Sequence, residues 1–281
     1  MEAWIALWQN LPARMTPYLF EIGSFQLRYY SLMYLAAFAC TYALVTYRIR
    51  REAYPYTAEL IQDYFVWAIL GVILGGRLGY VLFYNFAYYL RHPLEIIFPF
   101  TFAEGGLRFV GISGMSFHGG AIAVLVASLL FCRSRRIDFW RFADLFCPVI
   151  PLGYTFGRIG NFINGELYGR MTDVPWGMFF PLDPTHRLRH PSQLYEAFFE
   201  GIVLFAVLWL IRRRSPFPGA LFALYLMGYG LARFIIEFVR EPDAQLGFVL
   251  GPLSMGQLLS LVMVAGGGLL YALRRQMAAG K

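Results

Sequence analysis

The chain is short of charge. Only 15% of its 281 residues are Asp, Glu, Lys or Arg, where an ordinary soluble domain carries about 25%. A water-soluble globular class is excluded on that ground. Lysine is nearly missing: of the 24 basic residues, Lys281 alone is a lysine. Arginine is the better residue for forked recognition of a phosphate, although a GC-rich coding sequence produces the same bias. The basic residues stand in short clusters between apolar runs, which excludes a nucleic-acid partner. Cysteine is scarce. Cys40, Cys132 and Cys147 lie far apart in or beside apolar runs, so neither a disulfide framework nor a metal site is expected. There is no glycine-rich nucleotide loop and no paired-histidine zinc motif, and no cofactor is expected. A basic leader is missing too, with Glu2 in its place, so no cleavable signal peptide is predicted.

What the chain has in quantity is apolar. It is 58% hydrophobic and 19% aromatic, with mean hydropathy +0.53. The pattern predicts an all-α integral membrane protein, one polytopic domain over 1–281, with seven transmembrane helices. The spans run from about Tyr30 to Tyr47, Tyr64 to Tyr84, Gly119 to Cys132 and Trp140 to Ile163. The fifth opens at His190-Pro191 and closes at Arg212. The last two run from Gly219 to Phe238 and from Met255 to Leu273. Gly71, Gly75 and Gly79 repeat every four residues, a close-packing stripe for another helix. Pro148 and Pro151 are predicted to bend the fourth span.

Between the spans, residues 1–28 carry Trp4, Trp8, Tyr18 and Phe20 and are placed at the membrane interface. Residues 85–115, with Pro93 and Pro99, form an interfacial arm. Residues 164–190, with Pro175, Pro181 and Pro184, form a small head outside the membrane. The clusters Arg48/Arg50/Arg51, Arg133/Arg135/Arg136/Arg141, Arg212/Arg213/Arg214 and Arg274/Arg275/Lys281 all fall on one side. The positive-inside rule makes that side cytoplasmic. The N-terminus, the arm and the head then face outward and the C-terminus faces the cytoplasm.

Polar residues inside a bilayer are costly and mark a site. The densest run, Gly157-Arg158-Ile159-Gly160-Asn161-Phe162-Ile163-Asn164-Gly165-Glu166-Leu167-Tyr168-Gly169-Arg170, ends the fourth span. Arg158 and Asn161 share a helical face at i, i+3. Arg77 interrupts the second span; it either pairs with an acidic residue on a neighbouring helix or lines a lipid cavity. Tyr229, Arg233 and Glu237 recur every four residues on the sixth span and make one polar stripe facing protein or cavity. Arg233 and Glu237 either neutralise each other or hold the arginine ready for a phosphate. Glu196 and Glu200 lie at i, i+4 on the fifth. Tyr30 is either an interfacial tyrosine or part of the site, and His118 stands before two glycines at a helix start. Paired arginines suit a phosphate by charge and fork geometry, and the phosphate most available within a bilayer belongs to a phospholipid.

The run from Gly157 to Gly169 resembles the signature of the bacterial prolipoprotein diacylglyceryl transferases: Gly-Arg, then Asn-Phe, Asn, Glu and a final Gly at matching spacing. Tyr-Ser-Leu-Met-Tyr at the first span, His118-Gly119-Gly120, and His190-Pro191-Ser192-Gln193-Leu194-Tyr195-Glu196 are similar to that family as well. The resemblance covers nearly the whole chain. It implies an inner-membrane enzyme that moves the diacylglyceryl group of phosphatidylglycerol to the lipobox cysteine of a prolipoprotein signal peptide, releasing glycerol-1-phosphate. It further implies phosphate contacts for Arg158 and Arg233, proton handling by His118, Tyr30 or Glu237, and a headgroup site shaped by Asn161, Glu166, Gly169 and Arg77. Two departures from the family are visible. Tyr154-Thr155-Phe156 stand where small residues are expected, which is read as a change of local helix packing, and Ser31 stands where glycine is frequent; neither is expected to touch the chemistry. A permease and a phospholipid hydrolase are the competing classes, and no internal repeat supports the permease.

Overall fold

The computed structural model describes residues 2–22, 25–96, 100–103, 106–109, 114–241 and 248–280. Residues 97–99, 104–105 and 110–113 of the expected arm, and Lys281 of the last basic cluster, lie outside them. In chain order the helices are α1 (Glu2–Gln9), α2 (Tyr29–Arg51), α3 (Ala58–Tyr84), α4 (Phe86–Arg91), α5 (Phe117–Ser134), α6 (Phe139–Phe146) and α7 (Ile150–Ile163). There follow α8 (Ser192–Glu196), a π-helical segment (Ala197–Val203), α9 (Leu204–Ile211), α10 (Ala220–Ile236) and α11 (Met255–Ala279).

Among the described residues, four continuous helices are long and apolar enough to cross a membrane: Tyr29–Arg51, Ala58–Tyr84, Ser192–Arg214 and Met255–Ala279. Two shorter apolar helices, His118–Ser134 and Ala220–Ile236, match the third and sixth predicted spans. The fourth differs from expectation. It is broken rather than bent, with α6 ending at Phe146 and α7 starting at Ile150. Pro148 lies in the break and Pro151 one residue into α7. A proline has no N–H to give and its ring crowds the preceding turn, while Pro151 sits comfortably in the first turn of α7.

The described residues are mostly helical, and they also hold three antiparallel two-stranded ladders that the sequence pattern does not predict. They pair β1 (Tyr18–Ile22) with β2 (Phe25–Arg28), β3 (Phe100–Ala103) with β4 (Gly106–Phe109), and β5 (Phe248–Leu250) with β6 (Leu253–Ser254). Each is two to five residues per strand, too short to leave a periodic signal.

The described residues form two compact units, Met1–Ala53 with Ala143–Lys281, and Tyr54–Phe142. The Tyr54–Phe142 unit is built on α3 against α5. The glycine stripe lies in that contact: a Cβ on Gly75 would come 2.6 Å from the Gly119 carbonyl oxygen, and one on Gly79 would come 2.7 Å from the Gly119 Cα. Only backbones without side chains meet this closely. Thr57 and Ser116 cap the two helices, accepting from Leu60 N and Gly119 N at 3.2 Å each. In the same unit Tyr64 meets Phe142 edge to face, and Phe131 packs tilted against both rings.

The larger unit joins α2, α7, α8 to α11 and the head. Its α10 begins at Gly219 with φ +96° and no cap from its own side chain. The cap comes from α6 instead. The Asp144 carboxylate accepts from Gly219 N at 2.7 Å and Phe222 N at 2.9 Å, satisfying amides the helix cannot. Buried Arg48 donates to the Asp144 and Leu145 carbonyls at 2.8 and 2.5 Å and pairs with Glu52 at 2.8 Å. Glu52 also receives Arg212 at 2.7 Å. In the head, Arg189 grips the buried Asp183 with two parallel bonds of 2.7 and 2.9 Å. That fork holds the Asp183 carboxyl well below the ordinary carboxylate range. Trp8 of α1 donates to the Trp176 carbonyl at 3.0 Å, and Phe179 N donates to the Gln9 carbonyl at 2.8 Å, tying the N-terminal helix to the head.

Candidate active site

The polar residues of α7, α8 with its π-helical extension, and α10 converge on Glu196. This carboxylate is fully buried and takes three arginines. Arg158 Nε approaches Oε2 at 2.8 Å, Arg233 Nη1 approaches the same oxygen at 3.1 Å, and Arg240 Nη1 donates to Oε1 at 2.8 Å. Their side chains are 14%, 15% and 10% exposed, so all three arginines are largely shielded. Arg233 also pairs with Glu237 at 2.9 Å and lies 3.8 Å from Glu200. The i, i+4 pair expected on α10 therefore forms, as one edge of a wider network.

Local sequence explains the placement. Glu196 closes α8, and the chain passes at Ala197 into seven residues of π-helix. Such turns are rare and gather at functional sites. Gly201 in that segment sits on the Thr155 side chain of α7, with no room for a Cβ. Thr155 in turn donates to the Ala197 carbonyl at 3.2 Å. Glu237 is held by Ser254, whose hydroxyl donates at 3.0 Å. Gly256 makes the space: a Cβ there would lie 2.5–2.9 Å from the Glu237 carboxylate atoms. Ser254 and Gln257 form a capping box at the start of α11, so one serine both starts that helix and fixes the carboxylate.

On the other side the network runs down the signature. Arg158 Nη1 donates to Asn161 Oδ1 at 3.2 Å, as i, i+3 spacing predicts, and Asn161 Nδ2 donates to Glu166 Oε1 at 2.8 Å. Asn164 reaches the same oxygen at 3.3 Å, and Gln193 donates to the Glu166 carbonyl at 2.6 Å. Tyr30 packs where a Cβ on Gly160 would come 2.9 Å from its ring, and its hydroxyl is 3.2 Å from that of Tyr34.

Gly169 meets the network through backbone. It bridges Arg240 in antiparallel fashion and its N–H donates to the His190 carbonyl at 2.8 Å. A Cβ there would lie 2.8 Å from His190 Cβ. Beside it Arg170 donates to the Arg240 carbonyl at 2.9 Å and the Glu237 carbonyl at 3.3 Å.

Two predicted site residues belong to the Tyr54–Phe142 unit. His118 is exposed in the first turn of α5. Arg77 directs its donors to backbone carbonyls, Ile96 at 2.9 Å, Glu95 at 2.5 Å and Gly114 at 3.4 Å, and lies over the Tyr89 ring. It thus ties α3 to the arm, a third role beside the two the sequence offered.

Four participants were missing from the predicted site. Glu196 and Glu200 were visible as a carboxylate pair but unassigned. Arg240 lay beyond the sixth span. Tyr154, read as a packing change, has its hydroxyl 2.7 Å from Arg158 Nε, 2.5 Å from Glu200 Oε2 and 3.2 Å from Glu196 Oε2. Its signal was a tyrosine one helical turn before the signature arginine. Among the described residues no three or more His, Cys, Asp or Glu side chains are placed to share a metal.

Comparison with known proteins bears on what this cluster serves. The family profile described as prolipoprotein diacylglyceryl transferase matches residues 17–273. Relatives named phosphatidylglycerol–prolipoprotein diacylglyceryl transferase include one from Chlorobaculum tepidum, 55% identical over 260 residues, covering 92% of this chain and 90% of the relative. Those of Wolinella succinogenes and Bordetella avium are 48% and 49% identical over 258 residues, covering 91% and 92% of this chain and 92% and 94% of the relatives.

Proposed function

This chain belongs to the prolipoprotein diacylglyceryl transferase family, and from that premise we propose how its residues do the work. The protein is a bacterial, multi-pass membrane transferase. It takes the diacylglyceryl group from phosphatidylglycerol and passes it to a prolipoprotein, the first step of lipoprotein maturation.

The acceptor is the thiol of the lipobox cysteine. Its sulfur attacks a glyceryl carbon; the C–S bond forms, the C–O bond to phosphate breaks, glycerol-1-phosphate departs, and the thiol proton passes to a base. The observation that carries the assignment of roles is the pair Arg158 and Arg233 on one Glu196 oxygen in an apolar setting. Both guanidiniums bind the lipid phosphate, one chiefly holding it and the other offsetting the charge that grows on the leaving oxygen. Asn161 and Glu166 orient Arg158, Gly169 holds the Arg240 backbone in place, and Arg77 fixes the backbone at Glu95, Ile96 and Gly114. His118, Tyr30 and Glu237 are the candidates for the base. The test is incubation with phosphatidylglycerol with and without a lipobox peptide. A diacylglyceryl-sized mass gain on the peptide cysteine is expected; lipid loss without peptide would mark a hydrolase instead.

Seven crossing segments are proposed: the four long helices, the two shorter apolar ones, and α6 with α7 as a broken seventh. The one-sided Arg clusters support an N-terminus and head outside and a C-terminus in the cytoplasm. Ser134 and Asp173 are exposed. Cysteines placed there, with Cys40, Cys132 and Cys147 replaced by alanine, should react with an impermeant thiol reagent from opposite sides. Reaction of both from one side would reject this topology.

A further inference from the structure

The phosphate roles proposed for Arg158 and Arg233 raise the question of what keeps two arginines available among three carboxylates. A tyrosine hydroxyl has one proton to give and two lone pairs to accept with. At Tyr154 the proton and one lone pair are engaged at one junction: Arg158 Nε donates to the hydroxyl at 2.7 Å, the hydroxyl proton goes to Glu200 at 2.5 Å, and Glu196 lies 3.2 Å away. The ring lies 4.7 Å from the Arg158 guanidinium carbon and meets Tyr229 edge on at 5.8 Å.

Glu200 is fully buried, and its Oε1 has no hydrogen-bond partner among the described residues. The nearest cation, Arg233 Nη1, is 3.8 Å away, beyond hydrogen-bond reach. The close bond to Glu200 thus comes from Tyr154. Without it Glu200 is an uncompensated buried charge, a costly state, and Arg233 is the cation it draws in.

We propose that Tyr154 is a positioning residue for both arginines: its hydroxyl holds Arg158 at Nε and satisfies Glu200, so that Glu200 does not capture Arg233 from the lipid phosphate. The residue acts through its neighbours and touches no reacting atom. This rests on the phosphate reading above, and it explains why a bulky polar side chain occupies a position where a small residue was expected.

The experiment compares wild type, Tyr154→Phe and the double variant Tyr154→Phe/Glu200→Gln. Phosphatidylglycerol retention on the purified protein is read by native mass spectrometry, and KM and kcat by transfer to a lipobox peptide. Phe keeps the ring and its packing. Tyr154→Phe is expected to weaken lipid retention and raise the KM for phosphatidylglycerol about tenfold, or about 1.4 kcal/mol. The double variant is expected to recover most of that loss, because Gln has no charge with which to capture Arg233. Retention by Tyr154→Phe equal to wild type would overturn the proposal, as would a loss that Glu200→Gln does not relieve. A wild type that retains lipid but modifies no peptide would reject the reaction proposed above, while the retention comparison still decides the role of Tyr154.

Discussion

The two units solve the problem of packing helices in an apolar surrounding in opposite ways. In Tyr54–Phe142, α3 and α5 touch backbone to backbone because Gly75, Gly79 and Gly119 carry nothing between them. In the larger unit, α7, α10 and the π-helical segment are joined through long charged side chains meeting at Glu196. The first arrangement has no freedom to exchange partners. The second consists of separate ion pairs, which under the phosphate binding proposed above the lipid replaces one at a time. A rigid contact and an exchangeable one are thus built from different residues in one chain.

Removing the centre of the exchangeable network is expected to have the largest effect. Glu196→Ala leaves three arginines without their shared anion. Breaking a buried pair costs about 3–5 kcal/mol, so thermal unfolding in detergent should fall sharply and transfer should cease. A stability equal to wild type would mean that water already shields these arginines. Filling the rigid contact comes next: Gly75→Ala should cost about 1–3 kcal/mol by overpacking. Its unfolding midpoint should drop while the KM for lipid in the remaining folded protein stays near wild type.

Arg158→Lys and Arg233→Lys keep charge but lose the planar fork. Each should lower transfer at least about tenfold, or about 1.4 kcal/mol of transition-state stabilisation, with insertion intact. If Arg233 served only to neutralise Glu237, the double variant Arg233→Leu/Glu237→Leu would recover most activity. The smallest effect concerns the head, which has a fixed ion pair of its own. Because Arg189 lowers the Asp183 pKa on folding, the pair stabilises above the unfolded carboxylate pKa of about 3.9 and fades as pH drops below it. Wild type should therefore lose unfolding temperature between pH 6 and about pH 3 by more than Asp183→Asn does. Parallel losses would show that the pair contributes nothing.

The regular features of both units were legible in the sequence because they recur at helical spacing. Gly71, Gly75 and Gly79 announced the close contact, and Tyr229, Arg233 and Glu237 announced the polar stripe. Arg158 and Asn161 were legible as one helical face at i, i+3, and the bonds that carry that face on to Glu166 span only two to five residues. What stayed hidden depends on partners distant in sequence. Tyr154 meets Glu200 across 46 residues and Arg240 meets Glu196 across 44, and no local pattern encodes either. Pro148 and Pro151 were seen, yet two prolines three apart bend or break a helix according to what holds the pieces. Here Asp144 and Arg48 fasten the α6 end to other helices, so the break is supported.

The network around Glu196 joins three arginines to three glutamates and is formally neutral. A phospholipid diester bound as proposed brings one negative charge. The glycerol-1-phosphate left after reaction is a monoester, carrying about 1.5 to 2 negative charges at neutral pH. A strongly cationic pocket would grip that product harder than its substrate and stall. Under the proposed phosphate binding, carboxylates set among the arginines tilt the balance the other way, and the same side chains that orient the guanidiniums also help the spent headgroup leave and clear the site for the next lipid.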